Sequence, residues 1–400
     1  MKRIFMFVAA AVTSLSASAQ YYQDNVNPEM LRMESPRTLN RKEFHAPSVD
    51  GYTAYKADLH NHTIFSDGHL TMQSRVREAW ADGLDVIAVT EHLEFRPHEK
   101  DLVKYLKGYT GKGAKAKAYD FVSKPGPAKE DIMVDFNYPV ELARKTAKNY
   151  DMTIISGIEV TRKPDEYCHF NALFTTDNNA IYDADPMQSL RNARKQGALI
   201  TQNHPGWSRK SCNITEFEQA AFDEGLIDGV EIMNGISFYP KAMQRCIDKK
   251  LYMLACTDVH GLTSTYRNCG VFRTMTFIFA KENTSKAIRK ALEKHQTLAY
   301  SAGHIAGESA LLQEFFKASV NCKLLAHGKK NSSYALTNTT SIGYKLRVGR
   351  STLELPPFQT ITINVGLDKE GKHKDVVLHV ANMWEVGYKN PKIVYKAAKK

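Results

Sequence analysis

One local pattern, repeated along the chain, limits its architecture more than any other feature. Short apolar runs of strand-like composition each end in a residue able to bind a cation or move a proton, and a segment of helical periodicity follows. Asp58-Leu59-His60-Asn61-His62 opens the series, with Asp67 after a short polar turn. Alternate residues of an extended chain share a face, so His60 and His62 present two imidazoles to one side. Val86-Ile87-Ala88-Val89 then ends in Thr90-Glu91-His92, residues 153–158 run into Glu159, and residues 167–174 carry His169. Residues 198–201 end in Gln202-Asn203-His204, and residues 251–255 lead through Cys256-Thr257 to Asp258 and His260. Between them Met72, Val76, Ala79 and Trp80 share a helical face, with Thr71 placed to cap and Gly83 to stop. Helices are expected likewise around Val140, Ala143 and Ala147, over 186–196, over 241–250, and through Ile288, Ala291 and Leu292. Strands alternating with helices predict a parallel sheet, and this many units favour a barrel with its chemistry at the carboxyl ends of the strands.

The segment before this pattern reads as an address. Lys2 and Arg3 precede an apolar run over 4–12, and Ala17-Ser18-Ala19 offers a cleavage site. The run is too short to span a bilayer, so residues 1–19 are expected to be a signal peptide and the protein to be exported, periplasmic or extracellular. Residues 20–50 form a polar extension, 51–319 the barrel, and 320–400 a separate region. There the helical pattern stops, and short alternating runs over 334–337, 344–348, 360–365 and 376–380 predict a small β-sandwich-like domain for packing or partner contact. An apolar content of 43% and a charged content of 24% are those of a soluble globular protein, with no later stretch apolar enough for a membrane span. The net charge of +11 suits an anionic substrate or surface, although plain solubility explains it as well. Six cysteines show no C-x-x-C spacing, and Cys256 reads as a buried thiol. Residues 95–130 are a lysine-rich insert, read as a solvated loop ahead of a substrate-facing arm. Residues 206–225 are placed to shape the pocket.

Taken together, Asp-Leu-His-Asn-His-Thr with Ser66-Asp67-Gly68, then Thr-Glu-His, Gly-Ile-Glu, Asn-His-Pro and Thr-Asp-Val-His resemble the PHP (polymerase and histidinol phosphatase) superfamily, from about Lys56 to residue 315. The resemblance implies an α/β fold with a distorted seven-stranded barrel and a set of nine metal ligands. By that resemblance His60, His62, Glu159 and Asp258 hold one ion, Glu159 bridges to a second held with His169 and His204, and Asp67, His92 and His260 hold a third. Glu91 departs from the family's usual Asp, which matters little because His92 is the ligand. Export and the trailing β domain look like the Sb-PDE-type phosphodiesterases, an exported branch of the family.

The chemistry also follows from the residue types. Imidazole with carboxylate suits two or three divalent ions of Zn, Mn or Fe, and the near absence of thiolates argues against a structural zinc knuckle. Such a cluster can lower the pKa of a bridging water and clamp a phosphoryl group during in-line attack. The leading expectation is therefore a secreted, metal-dependent phosphodiesterase acting on a small phosphate ester, with turnover depending on Glu159 and Asp258. Alternatives are a phosphomonoesterase acting on nucleotides or sugar phosphates, or a nuclease-like PHP domain. The basic insert keeps nucleic acid open as a partner, but no nucleic-acid-binding motif accompanies it. Arg162, Arg209 and Arg267 are candidates for holding the phosphate, with Lys163 and Arg273 as further cations. Glu231 and Asn234 are expected to support the ligands and not to join them.

Overall fold

Strands rich in valine, isoleucine and alanine form the wall of the molecule, as runs buried on both faces should. The structure, a computed structural model, describes residues 22–23, 27–32, 40–118, 130–161, 169–265 and 272–397. The proposed signal segment, Arg162, Lys163, Cys168, Arg267 and Cys269 lie outside the described residues. Residues 1–40 and 41–400 form two units. In the first, Tyr22–Gln23 pairs antiparallel with Leu31–Arg32.

In the second unit the wall comprises β1 (Thr53–Asp58), β2 (Val86–Val89), β3 (Thr153–Thr161), β4 (His169–Leu173), β5 (Leu199–Gln202), β6 (Gly229–Asn234), β7 (Tyr252–Cys256), β8 (Met275–Ala280), β9 (Thr297–Ser301) and β10 (His304–Ala306). Neighbours run β6-β5-β4-β3-β2-β1-β8-β9-β10, with β7 on the other edge of β6. The sheet curls so that β7 meets β8 through one side chain. Thr276 Oγ1 accepts from Ala255 N at 2.8 Å and donates to Ala255 O at 2.9 Å.

The expected parallel sheet is corrected at β4 and from β8 to β10, where β8, β9 and β10 pair antiparallel in turn. β1, β2 and β3 are parallel, as are β5, β6 and β7, but β4 is antiparallel to both its neighbours and β8 is antiparallel to β1. Residues 162–168 are too short for a crossover, which needs a dozen residues or more, so β4 can only turn back beside β3.

Helices α1 (Met72–Ala81), α2 (Tyr138–Ala147), α3 (Pro186–Lys195), α4 (Glu216–Asp223), α5 (Pro240–Lys249), α6 (Ser285–Glu293) and α7 (Ser309–Ser319) alternate with these strands. Their starts follow local chemistry. Thr71 caps α1 by accepting from Ser74 N, and Asp185 caps α3 by accepting from Met187 N. In its described part the lysine-rich insert is more ordered than a loop. It contains a helix over Glu99–Tyr105 and an antiparallel pair, Ala114–Ala118 with Glu130–Val134. No described helix is long and apolar enough to cross a membrane.

After α7 the chain enters β11 (Val320–His327), β12 (Asn331–Asn338), β13 (Tyr344–Val348), β14 (Ser351–Leu355), β15 (Thr360–Gly366), β16 (Val376–Val380), β17 (Met383–Trp384) and β18 (Lys392–Tyr395). They make a three-stranded sheet, β11-β12-β15, and a four-stranded one, β14-β13-β16-β18, while β17 returns to pair in parallel with β10 of the wall. Helix α7 joins these layers. Phe315 stacks on Phe277 of β8 at 5.5 Å between centroids, and Phe316 meets Tyr344 of β13 edge-on at 4.9 Å.

Candidate metal centre

The parallel strands all point their carboxyl ends at one mouth, and so does the amino end of the reversed β4. That geometry gathers His60 and His62 after β1, His92 after β2, Glu159 within β3, His169 at the start of β4, His204 after β5, and Asp258 and His260 after β7. Asp67 joins them from the turn after β1, where Gly68 is required. A Cβ on Gly68 would lie 2.6 Å from Thr63 N, and Gly68 N donates to Thr63 O at 2.9 Å to close the turn. Each of the nine residues has a ligand-type atom within 3.7 Å of another's.

His60 Nε2 is 3.1 Å from His62 Nε2, 3.2 Å from Asp258 Oδ1 and 3.3 Å from Glu159 Oε1, and His62 Nε2 is 3.0 Å from Asp258 Oδ1. A tetrahedron with bonds of about 2.0–2.1 Å has edges of about 3.3 Å, so these atoms are spaced to surround one ion. Asp67 Oδ1 lies 3.3 Å from His92 Nε2 and 3.2 Å from His260 Nε2, and the ring of His62 is stacked between those of His92 and His260. A third convergence joins His60, Glu159 and His204, with His169 Nδ1 3.4 Å from Glu159 Oε1. Glu159 is central, touching His60, His62, His92, His169 and His204 from full burial. Asp258 and His204 both adopt positive φ, +54° and +24°, backbone strain of the kind kept at functional sites.

Electrostatics point the same way. Burial would raise the carboxyls of Glu159, Asp67 and Asp258, yet the imidazoles around each hold it well below the usual carboxylate range. Burial pushes His62 down to about 3, helped by His92 and His260, and pushes His204 down to about 4, helped by His169. His60, His92 and His260 are raised despite burial, because carboxylates face them. The cluster therefore demands positive charge at its centre. Buried Asp67 Oδ1 and Glu159 Oε2 have contacts but no well-formed hydrogen bond among the described residues. The donor set fits divalent cations.

Around the nine sits a frame that aims them. Three imidazoles are held through Nδ1, leaving Nε2 inward: His60 by Glu231 Oε1 at 2.7 Å, His62 by Ser66 Oγ at 3.2 Å, and His260 by Asp258 O at 2.8 Å, whereas His92 Nδ1 lies between Thr161 Oγ1 at 2.7 Å and Glu159 Oε2 at 2.5 Å. Glu231 Oε2 also accepts from His204 N and from Asn234 Nδ2, each at 2.9 Å. Glu91 accepts from the Thr63 and Ser66 hydroxyls and so pins the first loop. Arg75 of α1 is the largest omission from the sequence reading. Its guanidinium is fully buried and donates to the carbonyl oxygens of His62, Val259, His260 and Gly261, tying the two ligand loops together. The signal was present, since Arg75 lies on the Met72–Val76–Ala79 face, where an arginine has no reason to be unless buried groups need it.

The proposed phosphate-holding arginines fare differently. Arg209 is bound to Glu218 at 3.0 Å and to Pro205 O, bracing the 204–209 loop against α4, and Arg273 is buried on Asp58 and Thr257. A cavity of about 240 Å³ opens above the cluster, lined by six of the nine residues with Phe95, Thr161 and Trp207.

A PHP domain model matches residues 58–312. The chain belongs to the PHP family. A two-domain protein from Bacteroides vulgatus, described as containing a predicted PHP-like metal-dependent phosphoesterase, is 32% identical to this PHP chain, covering 90% of it and 99% of the other, with a TM-score of 0.77. An amidohydrolase from Chromobacterium violaceum, solved with bound sulfate, is 13% identical over 62% of this PHP chain and 98% of its own, with a TM-score of 0.33. That likeness is too slight to bear on this PHP protein. No curated protein sequence matches significantly.

Proposed function

We propose that this PHP protein is a metal-dependent phosphoesterase that hydrolyses phosphate diesters. The observation that carries the reading is the convergence of all nine ligand residues at one mouth. Three ion positions are proposed: His60, His62, Glu159 and Asp258; Glu159, His169 and His204; and Asp67, His92 and His260, with His62 shared. Bound Zn, Mn or Fe would supply Lewis acidity and an acidified water. The chain's own part is orientation. Glu159 and Asp258 set the negative charge that holds the ions, Glu231 fixes the tautomer of His60, Thr161 orients the ring of His92, and Phe95 with Trp207 walls the cavity.

Diester preference is proposed from the likeness of the chain's architecture to the Sb-PDE-type phosphodiesterases, and the cations that bear on it, Arg162, Lys163 and Arg267, lie outside the described residues. A dianionic monoester gains more from such cations than a monoanionic diester does. Residues 1–19 are proposed to direct export, and 320–400 to form a small β-sandwich-like domain. Reconstitution with Mn²⁺ or Zn²⁺ and assay on bis(p-nitrophenyl) phosphate against p-nitrophenyl phosphate tests the reading. Faster diester turnover supports it. Faster monoester turnover overturns the diester assignment, and no turnover on either overturns the phosphoesterase assignment.

A further inference from the structure

The positive charge of this chain is concentrated after α7. Residues 320–400 hold twelve Lys and two Arg against two Asp and three Glu, a net +9 of the chain's +11. Strand register collects part of that charge on one face. In the β14-β13-β16-β18 sheet Arg347 stands beside His379, and His379 beside Lys392, with Lys345 two residues along β13. Leu346, Leu378 and Ile393 are buried, so the alternation of strand side chains turns this row outward. Lys345, Arg347 and Lys392 are exposed.

The row brings Arg347 and Lys392 to either side of His379. Among the described residues it finds little compensation. Arg347 donates to Asn390 Oδ1 at 2.7 Å, and Glu354 stands opposite Lys345. Beside the cations, Val377 and Val394 pair on the same face, and Tyr388 is 66% exposed in the turn before Lys389. The face is flat. The cavities at the metal centre, beside the Glu99–Tyr105 helix and at Trp384 include none of these residues.

We propose that the outer face of the β14-β13-β16-β18 sheet docks the protein on anionic phospholipid surfaces. A patch of exposed cations with partly exposed valines beside it matches an interface that is anionic outside and apolar beneath. A single nucleic-acid strand instead requires a basic groove with successive aromatic platforms. Each Lys or Arg close to such a membrane adds about fivefold to partitioning, the equivalent of about 1 kcal/mol.

The test is co-sedimentation of the full chain with phosphatidylcholine vesicles, with and without phosphatidylglycerol. Binding is expected only to the anionic vesicles, and to weaken as salt rises. The triple variant Lys345→Gln, Arg347→Gln, Lys392→Gln should bind about a hundredfold more weakly, since three cations are lost. It should keep wild-type turnover of bis(p-nitrophenyl) phosphate or, if the protein proves inactive, a wild-type melting temperature. Equal binding to both vesicles, undiminished binding by a correctly folded variant, or binding to single-stranded oligonucleotides without binding to vesicles would each overturn the proposal.

Discussion

Replacing Glu231 by Gln changes one buried atom and should reach the metal centre through a tautomer. Glu231 is fully buried and acceptor-only, with Oε1 2.7 Å from His60 Nδ1 and Oε2 receiving His204 N and Asn234 Nδ2. Glutamine can keep only one of these two sides as an acceptor. If its amide nitrogen turns to His60, Nδ1 must accept, the proton moves to Nε2, and the inward lone pair is lost. If the amide turns the other way, it meets the His204 N–H donor to donor, and an unsatisfied buried donor costs about 1–3 kcal/mol. Both arrangements also remove the negative charge that makes His60 a stronger ligand. Loss of such a supporting group weakens metal binding by about 10–100-fold. Competition with a chromophoric chelator, read beside urea unfolding of the metal-free protein, measures both effects. An E231Q variant with wild-type metal affinity and wild-type stability would refute the reasoning, because neither arrangement can be neutral.

Three more outcomes are expected. Arg75→Met should destabilise the protein by about 3–5 kcal/mol, since removing a buried guanidinium strands the groups it paired; denaturant titration measures this, and a near-neutral change would show that the ligand loops do not depend on it. Glu159→Ala and Asp258→Ala should each abolish hydrolysis while leaving soluble protein, and retained turnover in both variants would sink the site assignment. Metal-free protein should melt highest near pH 6.5, the ordinary histidine value. Above it, stability held by the raised His60, His92 and His260 is lost as they deprotonate; below it, stability tied to neutral His62 and His204 is lost as pH falls towards 4, joined by the depressed Asp67, Glu159 and Asp258. Saturating Mn²⁺ should abolish the alkaline decline, because the ions replace the protons; melting curves against pH with and without metal would show a persisting decline if that is wrong.

Much of the candidate site was legible because its residues sit at the ends of locally encoded strands. The unbroken β-rich run Val86–Val89 and the period-3.6 pattern over Met72–Ala81 mark a strand and a helix without reference to the rest of the chain. The C-terminal strands near 344–348 and 376–380 were legible for the same reason, whereas β11, β14 and β18 were missed, and the return of β17 to the wall has no local signature.

By itself, then, the sequence determined which side chains gather at the mouth, because a strand's end places its last polar residues at the sheet's edge whatever follows. Tertiary structure decided how they are shared and aimed. The reversal of β4 delivers His169 from a strand's beginning and not its end, and the stacking of His62 between His92 and His260 puts it between two of the proposed ion positions. Glu231 reaches His60 across 171 residues, and Arg75 reaches His260 O across 185. Such contacts depend on where backbone carbonyls and neighbouring strands come to rest, and no local periodicity carries that information.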